Sequence, residues 1–194
     1  MIIGITGGIG SGKSRIAREL VKRGYTVYDC DREAKRIIVE NKEVQAAIIE
    51  LLGKEAFVDG KYNTVFVAQK VFENPALLQG LNGIVHPAVI NDIVRRQPDF
   101  IESAILLEAG LEKICDKIVW VDAPEEIRIA RTIHRDYHDE LTQEHIDKVR
   151  ARMRAQQKTS VHAEALQRPL LNIFNDGTLV LSDIVDLISH FASR

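Results

Sequence analysis

The residues whose types and spacing most directly suggest chemistry lie near the start of the chain, where Gly7 to Ser14 read Gly-Gly-Ile-Gly-Ser-Gly-Lys-Ser. The pattern Gly-x-x-x-x-Gly-Lys-Ser is typical of a loop that holds the phosphates of a nucleoside triphosphate, because its glycines let successive backbone N–H groups point inward. Lys13 adds a positive charge at the β- and γ-phosphates, and the Ser14 hydroxyl is a ligand for Mg²⁺. The residues predicted to form this site are Gly8, Ile9, Gly10, Ser11, Gly12, Lys13, Ser14 and Arg15.

The segments on either side of the loop fit this interpretation. Residues 1–6 form a short apolar run, as expected of a buried parallel strand. From Lys13 onward, Ile16 and Leu20 recur at helical spacing, and Gly24 follows as the expected helix end. A strand, a glycine loop and a helix in this order are the context that the motif requires.

The second apolar run covers residues 26–29, and the segment Asp29-Cys30-Asp31 closes the strand predicted there. Alternation along a strand predicts that Asp29 and Asp31 share one face while Cys30 points to the other. The carboxyl ends of parallel strands gather at the ligand edge of a sheet, so a carboxylate here could accept the proton of an attacking hydroxyl. The alternative role for Asp31 is to cap a helix that begins near Arg32, and the two roles are compatible.

Two further acids, Glu108 and Asp122, follow or end apolar runs. An acid at the end of a buried strand often holds the water shell of a metal ion next to a phosphate-binding loop. The pattern does not choose between the two, and both could instead be groups that cap strand ends.

A row of arginines, Arg128, Arg131 and Arg135, recurs at positions i, i+3 and i+7 and is predicted to share one helical face. Guanidinium groups held in this way can close over phosphates and stabilise the charge of a transition state. The alternative is a solvated face that pairs with nearby acids. His86 precedes Pro87 at the expected start of a helix, where a lone histidine either packs or belongs to a site.

The organisation of the chain predicts an α/β fold. Helical patterns separate five apolar runs, which favours βαβ units and a five-stranded parallel sheet. The predicted strands are residues 1–6, 26–29, 104–107, 118–122 and 170–174.

The long stretch between the second and third predicted strands is interpreted as a helical insert. It carries three apolar helical faces and a turn at Asp59-Gly60. These faces contain Val44, Ala47, Ile48 and Leu51, then Val65, Ala68 and Phe72, then Val85, Val89 and Ile93. We therefore expect a single domain, residues 1–194, with a core at 1–31, 101–124 and 165–194, an insert at 32–100 and a second helical block at 125–164.

Composition narrows the class of protein. The 194 residues suffice for one α/β domain with a sizeable core, and the net charge of −2 from 26 basic and 28 acidic residues gives no reason to expect nucleic acid or an anionic membrane as a partner. Cys30 and Cys115 do not form a disulfide framework, and the first residues do not read as a signal peptide, so a cytoplasmic location is expected.

Taken together, these residues resemble the dephospho-coenzyme A kinase family over nearly the whole chain. The glycine loop in its Thr-Gly-Gly-Ile-Gly-Ser-Gly-Lys-Ser form, combined with the Asp-x-Asp segment and the later His-Pro pair, is far more specific than the loop alone. The matching segments are residues 4–14, 29–31, 81–87, 105–108, 131–136, 152–156 and 172–177.

This resemblance implies a three-layer P-loop NTPase kinase-type fold, with the insert binding the acceptor and the block at 125–164 acting as a lid. It implies ATP and Mg²⁺, and transfer of a phosphoryl group to the 3′-hydroxyl of dephospho-coenzyme A in the last step of coenzyme A synthesis. The implied catalytic residues are Asp31 as base, with Lys13, Arg131 and Arg135 as stabilising cations. The implied binding residues are Asn175 near the adenine, and Asp31, His86 and Glu108 toward the acceptor.

Two departures and two alternatives accompany the resemblance. Arg15 stands where the family often has threonine, and Ala104 where many members have proline. One alternative is a P-loop kinase of another small hydroxyl acceptor, of the nucleoside, shikimate or gluconate type. The other is a nucleotide-dependent switch protein, which would need no acceptor site. No pattern in the sequence indicates an oligomeric state.

Overall fold

The structure is a computed structural model that describes residues 1–72, 74–157 and 168–193. The chain divides into two compact units, one made of residues 1–28 and 98–194 and the other of residues 29–97. The helices are α1 (Lys13–Lys22), α2 (Cys30–Glu40), α3 (Lys42–Leu52), α4 (Thr64–Phe72), α5 (Pro75–Arg96), α6 (Glu125–Tyr137), α7 (Gln143–Gln157) and α8 (Leu181–Ser193). The strands are β1 (Ile3–Gly7), β2 (Val27–Asp29), β3 (Phe57–Val58), β4 (Lys61–Tyr62), β5 (Phe100–Glu102), β6 (Lys117–Asp122) and β7 (Leu170–Phe174).

A five-stranded sheet with the order β2-β5-β1-β6-β7 forms the centre of the first unit. β1 pairs in parallel with β5 on one side and with β6 on the other, and β6 pairs in parallel with β7. The predicted α/β fold with a five-stranded parallel sheet is therefore confirmed. β1 is the central strand, and the glycine loop that follows it emerges between β5 and β6.

Two apolar clusters hold the helices of this unit. In the first cluster, α1 and α8 bury Ile16, Leu20 and Ile188 against sheet residues such as Ile5 and Val119. The second cluster joins α6 to α7 through a separate set of buried side chains, Ile129, Ile133, Val149 and Met153. The helices α6 and α7 therefore have a small core of their own, beside the loop. The expected boundary between the block at 125–164 and the core at 165–194 lies outside the described residues.

The predicted third strand at residues 104–107 is wrong. The strand is β5, which ends at Glu102, and residues 104–110 form turns instead. Leu106 is nevertheless fully buried, whereas Ile105 beside it is 40% exposed. The apolar run correctly indicated burial, but burial does not distinguish a strand from a packed turn.

The second unit contains α2 to α5 and a β3–β4 hairpin, with the predicted turn at Asp59-Gly60. The predicted face of α3 is buried at Val44 and Ile48, and that of α5 at Val85, Val89 and Ile93. The predicted face of α4 is wrong, because Val65 and Phe72 are exposed and Val67 is buried instead. His86-Pro87 also does not start a helix: α5 begins at Pro75 and carries Pro87 in its interior.

A network of ion pairs joins α2 to α5 inside this second unit. Arg36 contacts Glu33 at 2.7 Å and Asp92 at 2.8 Å, and both of these carboxylates are buried. Burial opposes the charge on Glu33, but Arg36 and Arg96 outweigh it and hold the pKa of Glu33 below its usual value. Glu33 therefore stays ionised near neutral pH, and the ion pairs of Arg36 with Glu33 and Asp92 tie the two helices together.

Within the described residues, no helix is long and apolar enough to cross a membrane.

Candidate phosphate-binding site

The glycine loop joins the end of β1 to the start of α1 and depends on two close approaches. Gly10 has a φ of 77°, and a Cβ there would lie 2.4 Å from the carbonyl oxygen of Arg128. Gly12 caps α1 with a φ of 103°, and a Cβ there would lie 2.4 Å from Nδ2 of Asn175. Both positions have a positive φ and leave no space for a Cβ, so only glycine fits them. The loop can therefore lie directly against Arg128 and Asn175.

The loop gathers polar groups of the kind that bind phosphate oxygens. Lys13 is buried, and its ammonium group donates to the carbonyl oxygen of Gly8 at 3.1 Å, so its charge folds back over the loop. The Ser11 hydroxyl is also buried and has no hydrogen-bond partner among the described residues. A charged donor, a hydroxyl that lacks a partner and the start of α1 together fit a bound phosphate chain.

Ser14 faces a carboxylate that the sequence analysis did not select. Its hydroxyl donates to Oε1 of Glu102 at 3.4 Å, across 88 positions of sequence. Glu102 ends β5, the strand that neighbours β1, so the sheet itself brings the two residues together. A hydroxyl and a carboxylate are oxygen donors of the kind that Mg²⁺ prefers, so the donor set fits this ion.

Arg131 and Asn175 hold the second half of the loop. Nδ2 of Asn175 donates to the carbonyl oxygen of Ser11 at 2.8 Å, and Arg131 Nη1 donates to the same oxygen at 3.3 Å. Arg131 also donates to the carbonyl oxygen of Asn175 at 3.2 Å. Burial and the nearby charge of Arg15 lower the pKa of Arg131, although an arginine keeps its charge at neutral pH. The structure thus brings Arg131 and Asn175 into contact with the loop at the carbonyl oxygen of Ser11.

The other two arginines of the predicted row behave differently. Arg128 Nε donates to the carbonyl oxygen of Ile9 at 2.8 Å, and its Nη1 lies 3.7 Å from Asp122. Arg135 instead donates to Asp136, which raises the pKa of Arg135. Arg128 and Arg131 therefore meet the loop, whereas the described contacts of Arg135 are with an acid of its own helix.

A cavity of about 130 Å³ lies beside the first half of the loop. Its lining includes Gly8, Glu108, Asp122, Arg128 and Gln156. The two acids between which the sequence did not choose thus share one cavity, while Glu102 is the acid that contacts Ser14.

Asp31 and His86 belong to the second unit. The prediction that Asp29 and Asp31 alternate along a strand is wrong, because α2 begins at Cys30 and Asp29 is its N-cap, accepting from the backbone N–H of Arg32. Asp31 is an exposed residue in the first turn of α2. His86 is half-buried inside α5, and burial lowers its pKa, so its ring is neutral at pH 7.

Sequence reasoning missed the roles of Glu102 and Gln156. Glu102 stands directly after buried Phe100 and Ile101, so a strand assigned to these residues would have identified it as a strand-end acid. Gln156 Oε1 accepts from the backbone N–H of Ile9 across 147 positions, and no local pattern signals such a contact.

The parallel sheet, the glycine loop after its central strand and the cations around that loop define a P-loop kinase of the small-molecule type. The chain belongs to the dephospho-CoA kinase family (CoaE), whose model matches residues 1–179. Members of this family use ATP to phosphorylate dephospho-CoA in coenzyme A biosynthesis, and this chain is such a transferase.

Individual relatives agree with this assignment. The chain is 37% identical over 169 residues to the dephospho-CoA kinase of Porphyromonas gingivalis, covering 84% of this chain and 81% of the relative. It is 33% identical over 200 residues to the dephospho-CoA kinase of Bacteroides fragilis, covering 99% and 93%. Among solved structures, it is similar to TT1252 from Thermus thermophilus, with a TM-score of 0.75, 32% identity and coverage of 100% and 97%.

Proposed function

We propose that residues 8–15 bind ATP·Mg²⁺ and that Asp31 accepts the proton of the 3′-hydroxyl of dephospho-CoA during phosphoryl transfer. The observation that carries the donor half of this proposal is the loop itself. It combines the buried ammonium group of Lys13, the buried Ser11 hydroxyl and the Ser14–Glu102 pair.

In the donor site, Lys13 orients the β- and γ-phosphates, and Ser14 with Glu102 would hold Mg²⁺ directly or through its water shell. When bound, the ion neutralises charge on the transferring phosphate oxygens. Asn175 and Arg131 keep the Ser11 peptide in place through the hydrogen bonds described above. Asn175 also stands at the start of the segment after β7, where we propose that the adenine binds.

In the chemical step, the 3′-hydroxyl oxygen forms a bond to the γ-phosphorus while the bond from that phosphorus to the leaving oxygen of ADP breaks. The hydroxyl proton passes to the carboxylate of Asp31. This residue is exposed, and the N-cap of α2 is Asp29 rather than Asp31. Arg131 and Arg135 are proposed to stabilise the charge of the transferring group, with Arg135 acting from the predicted lid at 125–164. His86 and Glu108 are proposed to contact the acceptor.

The substitution Asp31→Asn tests the base. We expect ATP affinity within about twofold of the wild type and kcat with dephospho-CoA lowered by a factor of about 10²–10⁴, the range supplied by general base catalysis. Asp29→Asn is the matched control, because asparagine caps helices as well as aspartate does. A kcat for Asp31→Asn close to that of Asp29→Asn would reject Asp31 as the base.

A further inference from the structure

The peptide groups of Ile9 are held from both sides by the helices α6 and α7. Gln156 Oε1, on α7, accepts from the backbone N–H of Ile9 at 2.8 Å. Arg128 Nε, on α6, donates to the carbonyl oxygen of Ile9 at 2.8 Å. Both polar groups of one loop residue are therefore bonded to side chains far away in sequence.

The side chain of Ile9 is anchored in the same place. It packs against the apolar cluster that joins α6 to α7, formed by Ile129, Ile133, Val149 and Met153. Ile9 belongs to the phosphate loop, yet its partly buried side chain packs on the core of these two helices.

The amide nitrogen of Gln156 makes a second hydrogen bond, which holds the side chain in place. Its Nε2 donates to the carbonyl oxygen of Ala104 at 2.7 Å, in the turn that follows β5. The side-chain amide therefore bridges the phosphate loop at Ile9 and the turn at Ala104, and both Gln156 and Ala104 line the cavity described above. Each end of the amide has a partner of the matching kind, since the oxygen accepts and the nitrogen donates.

We propose that Gln156 is a positioning residue for the phosphate loop, setting the Ile9 peptide so that the loop is preformed for ATP. Its contact is with the loop backbone rather than with the reacting atoms. A loop that already has its bound conformation loses less entropy when the nucleotide binds, so the effect falls on ATP affinity. This inference rests on the proposal that the loop binds ATP.

The test replaces Gln156 by methionine, which keeps the length and helix propensity of the side chain but removes both hydrogen bonds. Gln143→Met is the control, because Gln143 is an exposed glutamine of the same helix that bonds only to Asp147 among the described contacts. In steady-state assays we expect the KM for ATP to rise about tenfold for Gln156→Met, with the KM for dephospho-CoA changed little.

A second readout needs no ligand. The Ile9 amide proton in the wild type is bonded to Gln156, so its hydrogen exchange in the intact protein should accelerate about tenfold in Gln156→Met and not in Gln143→Met. Unchanged Ile9 exchange, or an ATP KM equal to that of the control, would overturn the inference. A wild-type protein that fails to bind ATP would instead reject the proposed donor site, while the exchange measurement would still report on Gln156.

Discussion

The Ser14 hydroxyl lies 3.4 Å from the Glu102 carboxylate, which joins the first turn of α1 to the last residue of the neighbouring strand β5. The parallel pairing of β1 with β5 creates this relationship, because it aligns Ile5 with Glu102 just before the loop begins. The sheet therefore presents an acid next to the predicted magnesium ligand.

Replacing Glu102 by glutamine should raise the concentration of Mg²⁺ that the enzyme needs. The neutral amide keeps the shape but loses the charge that is proposed to hold the ion and its waters, so the Mg²⁺ concentration for half-maximal rate should rise about tenfold or more. Glu126→Gln, at an exposed acid of α6, is the control. The same titration is run on Glu108→Gln and Asp122→Asn. If either substitution raises the Mg²⁺ concentration for half-maximal rate and Glu102→Gln does not, another acid binds the ion.

Replacing Lys13 by methionine should remove most of the turnover. The ammonium group is buried in the loop and folded over the Gly8 carbonyl, so its charge is held in a fixed geometry before the nucleotide binds. We expect kcat/KM to fall about 10²–10³-fold, as for the loss of a preorganised electrostatic contact. Lys22→Met, at the other end of α1, should retain wild-type kinetics, and a Lys13→Met enzyme of equal activity would show that the loop does not use this cation.

Replacing Gly10 by alanine should destabilise the fold and disrupt the loop together. Positive φ alone costs about 1–2 kcal/mol for alanine, and here the added Cβ would also meet the Arg128 carbonyl oxygen at 2.4 Å. Gly24→Ala isolates the first effect, because Gly24 has a φ of 92° and a Cβ added there would meet no described atom within 4 Å. Urea unfolding should therefore show a larger loss of free energy of unfolding for Gly10→Ala than for Gly24→Ala. Equal losses would mean that the Arg128 carbonyl of α6 does not restrict the space at Gly10.

Asp136 should make the stability of the first unit sensitive to acid. Its hydrogen bonds from Arg135, opposed by burial and assisted by Arg152 at 2.7 Å, lower its pKa to about 2. The folded-state pKa lies below the ordinary value of roughly 3.9, so the stabilisation is complete above that value and is lost as the pH falls toward 2.

Asp136→Asn should therefore lower the free energy of unfolding at pH 7 by up to about 1 kcal/mol, with the difference from the wild type shrinking between pH 4 and pH 2. Urea unfolding across this pH range measures it, with Asp147→Asn, at an exposed residue of α7, as control. A difference that stayed constant with pH would show that the ionised carboxylate contributes nothing.

The parts of the fold that the sequence predicts well are those set by local spacing. The Gly-x-x-x-x-Gly-Lys-Ser pattern at residues 7–14 and the helical periodicity at Val44 and Ile93 each lie within a short stretch of sequence. The prediction of a strand at residues 104–107 is wrong because Leu106 is buried in a turn, and apolar content indicates only burial.

The parts of the site that sequence reasoning missed depend on long-range contacts. Ser14 meets Glu102 across 88 positions and Ile9 meets Gln156 across 147, and no periodicity links such residues. The arginine row is predictable only in part. Helical spacing correctly places Arg128 and Arg131 on one face of α6. Tertiary packing decides that both contact the loop, whereas Arg135 pairs with Asp136.

The acceptor of the phosphoryl group is tested most directly by ADP release from the wild-type protein with ATP and Mg²⁺, in the presence and absence of dephospho-CoA. A nucleoside, shikimate and gluconate serve as the competing acceptors. We expect rapid ADP release only with dephospho-CoA, matched one to one by coenzyme A phosphorylated at the 3′ position. Equal turnover with another acceptor, or ADP release that does not depend on any acceptor, would contradict the proposed function.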